Sequence, residues 1–278
     1  GNMVEAVKDF QKKHPEITYW EPKYDGSSLA AYYDIDSGKL LKVVTIGGSN
    51  LGGEGIDQTE KFGKFFPSLP GTGIYALQCE CLIALEKGYG EKSRQKANGL
   101  INSSYVPLDK SEFAGQDYDR YLKMFWENFV GVKKEVESLL TLRCFRYYGT
   151  NPGDQRTVLN SLPKVYDGNG DLKFSGGWVL TAEEMGEAMN ADIWTTPDGT
   201  FLVDGIVGYT QSGSCVRALK YKDAGRGEST EVLGIQWNDQ GKKGKDSWSA
   251  NAIINPVEVR GTVIRKPTVG SIKKMIDG

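Results

Sequence analysis

Lys23-Tyr24-Asp25-Gly26 puts an amine, a carboxylate and a turn-forming glycine side by side between two apolar runs. A lysine bonds to phosphorus or to a carbonyl carbon only as the free amine. A nucleophilic lysine must therefore sit beside groups that lower its pKa from about 10.4. A turn braced by strands can hold it there. The same tetrapeptide is also ordinary surface-turn chemistry, so its meaning depends on what else the chain brings to it.

Other residues able to do chemistry follow in order. Glu80 interrupts an apolar run at 74–84, where a carboxylate is costly unless it has a partner or a task. Arg94 lies in Ser93-Arg94-Gln95-Lys96-Ala97-Asn98-Gly99-Leu100; a guanidinium fork matches phosphate oxygens, and the bland alternative is a solvated loop arginine. Asp204-Gly205 sits within Val203 to Val207 and reads as a metal ligand or as a plain hairpin turn. Lys220 and Lys222 stand two apart, so both ammonium groups share one strand face. They suit a phosphate clamp, or are simply edge lysines. The glycine-rich run at 47–55 could cradle a phosphate but lacks the terminal Gly-Lys-Ser/Thr of a nucleotide P-loop. Cys79, Cys81, Cys144 and Cys215 with the single His14 make no zinc pattern and read as reduced, mostly buried thiols.

These residues need elements to position them. The 278 residues are long enough for one large domain and a smaller one, and the composition is that of an ordinary soluble protein. No apolar run approaches membrane-spanning length and no signal-peptide pattern opens the chain, which points to a cytoplasmic setting without a membrane partner. The net charge of −2 does not advertise nucleic-acid binding, though a local basic groove would suffice. Patterning predicts a short helix at 4–13 and strands at 17–20, 29–33, 40–46, 74–84, 142–148, 201–209 and 214–221, with Lys23 in the first loop. A core helix is expected at 118–140, carrying Tyr121, Met124, Phe125, Phe129, Val132 and Val136, and a capping box at Thr181 to Glu184 opens another. Beyond about 225, short strands at 231–237, 252–259 and 262–264 surround a basic turn and read as a small β module.

The ordered set Lys23, Glu80, Arg94, Leu142-Arg143-Cys144-Phe145-Arg146-Tyr147, Asp204 and Lys220/Lys222 resembles the covalent nucleotidyltransferase superfamily of polynucleotide ligases and capping enzymes. It is most similar to the adenylation domain of NAD-type DNA ligases. The resemblance implies an α+β fold: a nucleotidyltransferase (ATP-grasp-like) domain of antiparallel sheets flanked by helices at 1–225. It implies that Lys23 attacks the α-phosphate of an adenylate donor to give lysyl-AMP, with Asp25 orienting the amine or the ribose. Glu21, Glu80, Arg94, Lys220 and Lys222 would hold the nucleotide, Glu80 taking a ribose hydroxyl. Tyr147 would stack on the adenine, with Phe145 in its place if the register is shifted by one pleat. Asp204 would bind Mg²⁺, and Lys220 and Lys222 would stabilise charge on the α-phosphate.

Asn255 to Arg265, followed by Thr268 and Ile272, is similar to the opening of the OB-fold that follows the adenylation domain in those ligases. The expectation is an incomplete OB-like, DNA-binding module at 226–278, either truncated, completed by a second chain, or degenerate. Lys242, Lys243, Lys245, Arg260, Arg265 and Lys266 would grip nicked duplex DNA there. Three departures stand out. Ser28 occupies a position that is arginine in many ATP-dependent ligases, Tyr209 replaces a lysine, and only 22 residues precede Lys23, where NAD-type enzymes carry a nicotinamide-mononucleotide-binding domain. ATP is therefore favoured over NAD as donor. The expected function is a phage-type minimal DNA ligase that seals nicks through lysyl-AMP and adenylated DNA. The alternatives are an RNA ligase, a capping-type guanylyltransferase, or a ligase fragment or subunit that does not seal.

Overall fold

The computed structural model describes residues 8–9, 11–45, 57–103, 107–113, 117–150, 154–177, 179–181, 183–186 and 193–209, together with the backbone of 215–223 and 230–237. Within them the protein is mixed α+β. The strands are β1 (Tyr19–Tyr24), β2 (Ser27–Tyr33), β3 (Leu40–Thr45), β4 (Ile74–Ile83), β5 (Leu140–Gly149), β6 (Val165–Tyr166), β7 (Leu172–Gly176), β8 (Ile193–Thr196), β9 (Gly199–Tyr209), β10 (Cys215–Asp223) and β11 (Thr230–Trp237). The α-helices are α1 (Thr59–Phe62), α2 (Ser93–Asn102), α3 (Tyr118–Leu139) and α4 (Gln155–Ser161). One sheet runs β3-β2-β4-β5-β7-β6; the other runs β1-β9-β10-β11, with β8 also paired to β9.

Alternation along the central strands sets the layers. Leu29, Ala31 and Tyr33 of β2, Leu77, Cys79, Cys81 and Ile83 of β4, and Leu142 and Cys144 of β5 join one buried core. Ala97, Leu100 and Ile101 of α2, Val136 of α3 and Leu159 of α4 complete that core, so the helices cover this face of the larger sheet. The opposite face meets the second sheet. Leu82 and Ala84 pack with Phe201 and Tyr24, Phe145 packs with Tyr19, Val207 and Tyr209, and the Arg143 guanidinium lies 5.2 Å from the Phe201 ring centre. Helices, larger sheet and smaller sheet thus form three layers, and the β1–β2 turn carries the chain from one sheet to the other.

A β-bulge decides which aromatic of β5 faces where. Gln78 pairs with Arg146 but Cys79 pairs with Cys144, so Phe145 is the extra residue. The alternation resets across the bulge. Tyr147 returns to the helix-covered core at 3% exposure, beside Leu142 and Cys144, while Phe145 faces the second sheet. Tyr147, the aromatic expected to stack on the adenine, thus lies with its ring in the core, and Phe145 is the aromatic on the inter-sheet side.

Other expectations are also revised. β1 extends to Tyr24, so Lys23 lies in a strand and the turn is only Asp25-Gly26. Pro22 is compatible with this because β1 is an edge strand. Helix α3 buries Phe129 and Val136, but Met124 is 60% exposed, because the helix packs mainly through its C-terminal half. β11 pairs antiparallel with β10, so the smaller sheet continues past the expected boundary at 225/226. The capping box is present: Thr181 N–H donates to Glu184 Oε1 and Glu184 N–H to Thr181 Oγ1, both at 3.2 Å. Cys79, Cys81 and Cys144 are free and buried. Residues 8–9 and 11–13 of the expected first helix are helical. The glycine-rich run at 47–55 and everything beyond 237, including the expected OB-like module, lie outside the described residues.

Candidate active site

The β1–β2 corner brings distant residues to Lys23. Pro22 of β1 pairs with Ile206 and Tyr24 with Val203, leaving Lys23 opposite two residues, Asp204 and Gly205. Gly205 sits at φ 97, a conformation that a side chain would strain, and this lets β9 bulge there. The Lys23 Nζ donates to Asp204 Oδ2 at 3.2 Å, with both side chains partly open to solvent. An ion pair this exposed is worth about 0–1 kcal/mol, weak enough for a ligand or cation to replace either partner.

The turn itself is fixed from both sides. Asp25 N–H donates to Leu202 O at 3.1 Å. At Gly26 a Cβ would stand 2.3 Å from Cys81 O and 2.7 Å from Leu82 Cδ2, so only glycine lets the turn approach β4 this closely. The Asp25 carboxylate lies 3.5 Å from Arg94 Nε. Arg94 stands in the first turn of α2, not in a loop as a bland reading of the sequence would have it.

Glu80 projects from the same face of β4. Ser28 is its direct neighbour across β2, and Ser28 Oγ donates to Glu80 Oε2 at 3.3 Å. Burial pushes the Glu80 carboxyl up to about 7; the Ser28 hydroxyl, the Gly26 N–H and the Lys23 charge oppose that shift, and Asp25 adds to it. Across β5 the neighbour is Arg143. Its guanidinium turns away, donating to Thr141 Oγ1 at 2.6 Å and Leu142 O at 3.2 Å.

Of the residues expected to form the site, Lys23, Asp25, Glu80, Arg94 and Asp204 meet at this corner. Lys220 and Lys222 lie on β10, which pairs with Asp204's strand; their backbone is described and their side chains are not. Glu21 is placed differently. It is 2% exposed, and a Cβ on Gly177 would stand 2.6 Å from its Oε1, so protein covers it. Burial raises its pKa well above the ordinary carboxylate range, against the nearby Arg146 charge. Lys242, Lys243, Lys245, Arg260, Arg265 and Lys266 fall outside the described residues.

Two contributors carried no readable signal. Ser28 reads in sequence only as a departure from arginine, yet it is the hydroxyl on Glu80. Lys61 of α1 is buried and reaches the C-terminal end of α2, where its Nζ donates to Leu100 O at 2.8 Å, Ile101 O at 2.7 Å and Ser103 O at 2.8 Å. A cation suits a helix C-terminus, and it anchors the helix that carries Arg94. Burial lowers its pKa to about 8.

Among the described residues no cluster of three or more His, Cys, Asp or Glu side chains stands ready for a metal. Mg²⁺ needs no such cage, since it keeps several waters and is commonly held by one or two carboxylates plus substrate phosphates. The half-exposed Asp204 fits that mode. No protein-family model matches the chain, and no curated protein matches it.

Proposed function

We propose that this protein is a covalent nucleotidyltransferase of the polynucleotide-ligase type, acting on nicked DNA through a lysyl-AMP intermediate. The observation that supports this is the convergence at one corner of a lysine, three carboxylates and an arginine. Lys23 and Asp204 alone are 181 residues apart in sequence yet in contact.

In this reading the Lys23 amine attacks the α-phosphorus of the donor, forming a P–N bond as the P–O bond to pyrophosphate breaks. The amine proton passes to solvent. Asp204, now the partner of Lys23, would hold Mg²⁺, which supplies charge neutralisation on the donor phosphates. Glu80 accepts a hydrogen bond from a ribose hydroxyl and Asp25 orients the amine or the ribose. Arg94, exposed at the start of α2, meets phosphate oxygens. AMP then passes to the 5′-phosphate of the nick and leaves as the 3′-hydroxyl attacks.

The same enzyme would have a nucleotidyltransferase fold, take ATP as donor, grip DNA through an OB-like module beyond 237 completed by a second chain, and work in the cytoplasm. No helix among the described residues is long and apolar enough to cross a membrane. The test is incubation with Mg²⁺ and labelled ATP, NAD or GTP in parallel, followed by mass spectrometry for a nucleotide on Lys23, with Lys23→Ala as control. AMP on Lys23 supports the reading, GMP would move it to a capping-type enzyme, and no adduct in folded protein would overturn it.

A further inference from the structure

Glu80 is a mid-strand carboxylate whose nearest candidate counter-ion across the sheet is committed elsewhere. Arg143, directly opposite on β5, gives Nη1 to Thr141 Oγ1 and Leu142 O and lays its guanidinium against the Phe201 ring, while its buried Nε makes no hydrogen bond, to Glu80 or to any other group among the described residues. No ion pair forms on Glu80 among the described residues. It takes neutral donors instead, the Ser28 hydroxyl from β2 and the Gly26 amide from the turn. A carboxylate has about four lone-pair sites, so two neutral donors leave acceptor capacity facing the corner where Lys23 lies. A full ion pair would have consumed it.

We propose that Ser28 is a positioning residue: its hydroxyl fixes the rotamer and favours the anionic form of Glu80, so that the free lone pairs accept a hydroxyl of the bound nucleotide. The identity of that hydroxyl rests on the nucleotidyltransferase reading; the Ser28–Glu80 coupling does not. The charged groups that face Glu80 are Lys23 and Asp25 from the turn and Arg143 from β5. The first two act in opposite directions, the lysine lowering and the aspartate raising its pKa. Arg143 is held away by its own bonds. A hydroxyl donor is therefore the contact at Glu80 that a single substitution can remove without changing any charge.

The test compares Ser28→Thr with Ser28→Val, which have nearly the same shape and differ by the hydroxyl. Protein carrying carboxyl-¹³C glutamate is titrated by NMR without ligand, with Glu80→Gln assigning the signal. The Glu80 midpoint should stay near that of the wild type in Ser28→Thr and rise by roughly half to one pH unit in Ser28→Val. The acid limb of Lys23 adduct formation should move the same way, with a raised KM for the donor. Equal midpoints in the two variants would overturn the proposal. A shifted midpoint in protein that forms no adduct would leave Ser28's hold on Glu80 standing and sink the nucleotidyltransferase reading instead.

Discussion

Lys23 Nζ and Asp204 Oδ2 stand 3.2 Å apart across a bulge between two antiparallel strands. The ion pair holds the candidate nucleophile beside the carboxylate proposed to take the cation, so the two roles compete for one oxygen. As a partly exposed pair it costs little to break, which suits a resting contact that donor and cation replace.

Asp204→Asn should therefore leave the fold intact and slow Lys23 adduct formation by about 10²-fold or more, because charge on the donor phosphates loses its neutralising cation. Single-turnover labelling across a range of Mg²⁺ concentrations checks this. An unchanged rate would remove Asp204 from the chemistry.

Glu80 gives stability a pH dependence of defined sign. Its folded pKa, about 7, lies above the ordinary value of 4.5, so its protonated form favours the folded state. That contribution is complete below about pH 4.5 and is lost as pH rises through about 7, at a cost on the order of 3 kcal/mol. Denaturant unfolding of wild type and Glu80→Gln at several pH values should show the variant gaining on the wild type between these limits, then a constant difference above them.

Lys61→Met should destabilise the protein by about 2–4 kcal/mol, because carbonyls of Leu100, Ile101 and Ser103 lose their buried donor. Since Lys61 acts at the far end of α2 from Arg94, Lys23 adduct formation in the folded variant should persist. Thermal unfolding and labelling on one preparation separate the two effects.

Tyr147→Ala should cost about 3–5 kcal/mol through loss of core packing. Donor affinity of the folded variant should stay near that of the wild type, since the ring faces the helices. Unfolding and donor titration together check this. A selective loss of nucleotide binding would restore the stacking role.

Much of this fold was legible in the sequence because strand alternation and helical spacing are local signals. The strand from Ile74, helix α3 and the Thr181–Glu184 capping box stand close to where patterning put them. Simple alternation along β5 puts Tyr147 on the inter-sheet face; the bulge at Phe145 that turns it to the core depends on pairing with β4, and nothing within β5 announces it. Pro22 and Asp25-Gly26 read as breakers that put Lys23 in a loop, yet an edge strand tolerates the proline. Lys61 was invisible: a lysine in a short helix gives no hint that its ammonium caps another helix far along the chain. Ser28 reads in sequence only as a difference from arginine, because a cross-strand hydrogen bond is a property of register.

Every role assigned at the β1–β2 corner depends on a covalent bond between Lys23 and a nucleotide. Intact-protein mass spectrometry after incubation with Mg²⁺ and ATP or NAD, followed by peptide mapping, tests it most directly. A mass increase of one AMP is expected on the peptide carrying Lys23, lost in Lys23→Ala and formed from ATP. Folded protein that carries no nucleotide from either donor, or carries it on another residue, would contradict it.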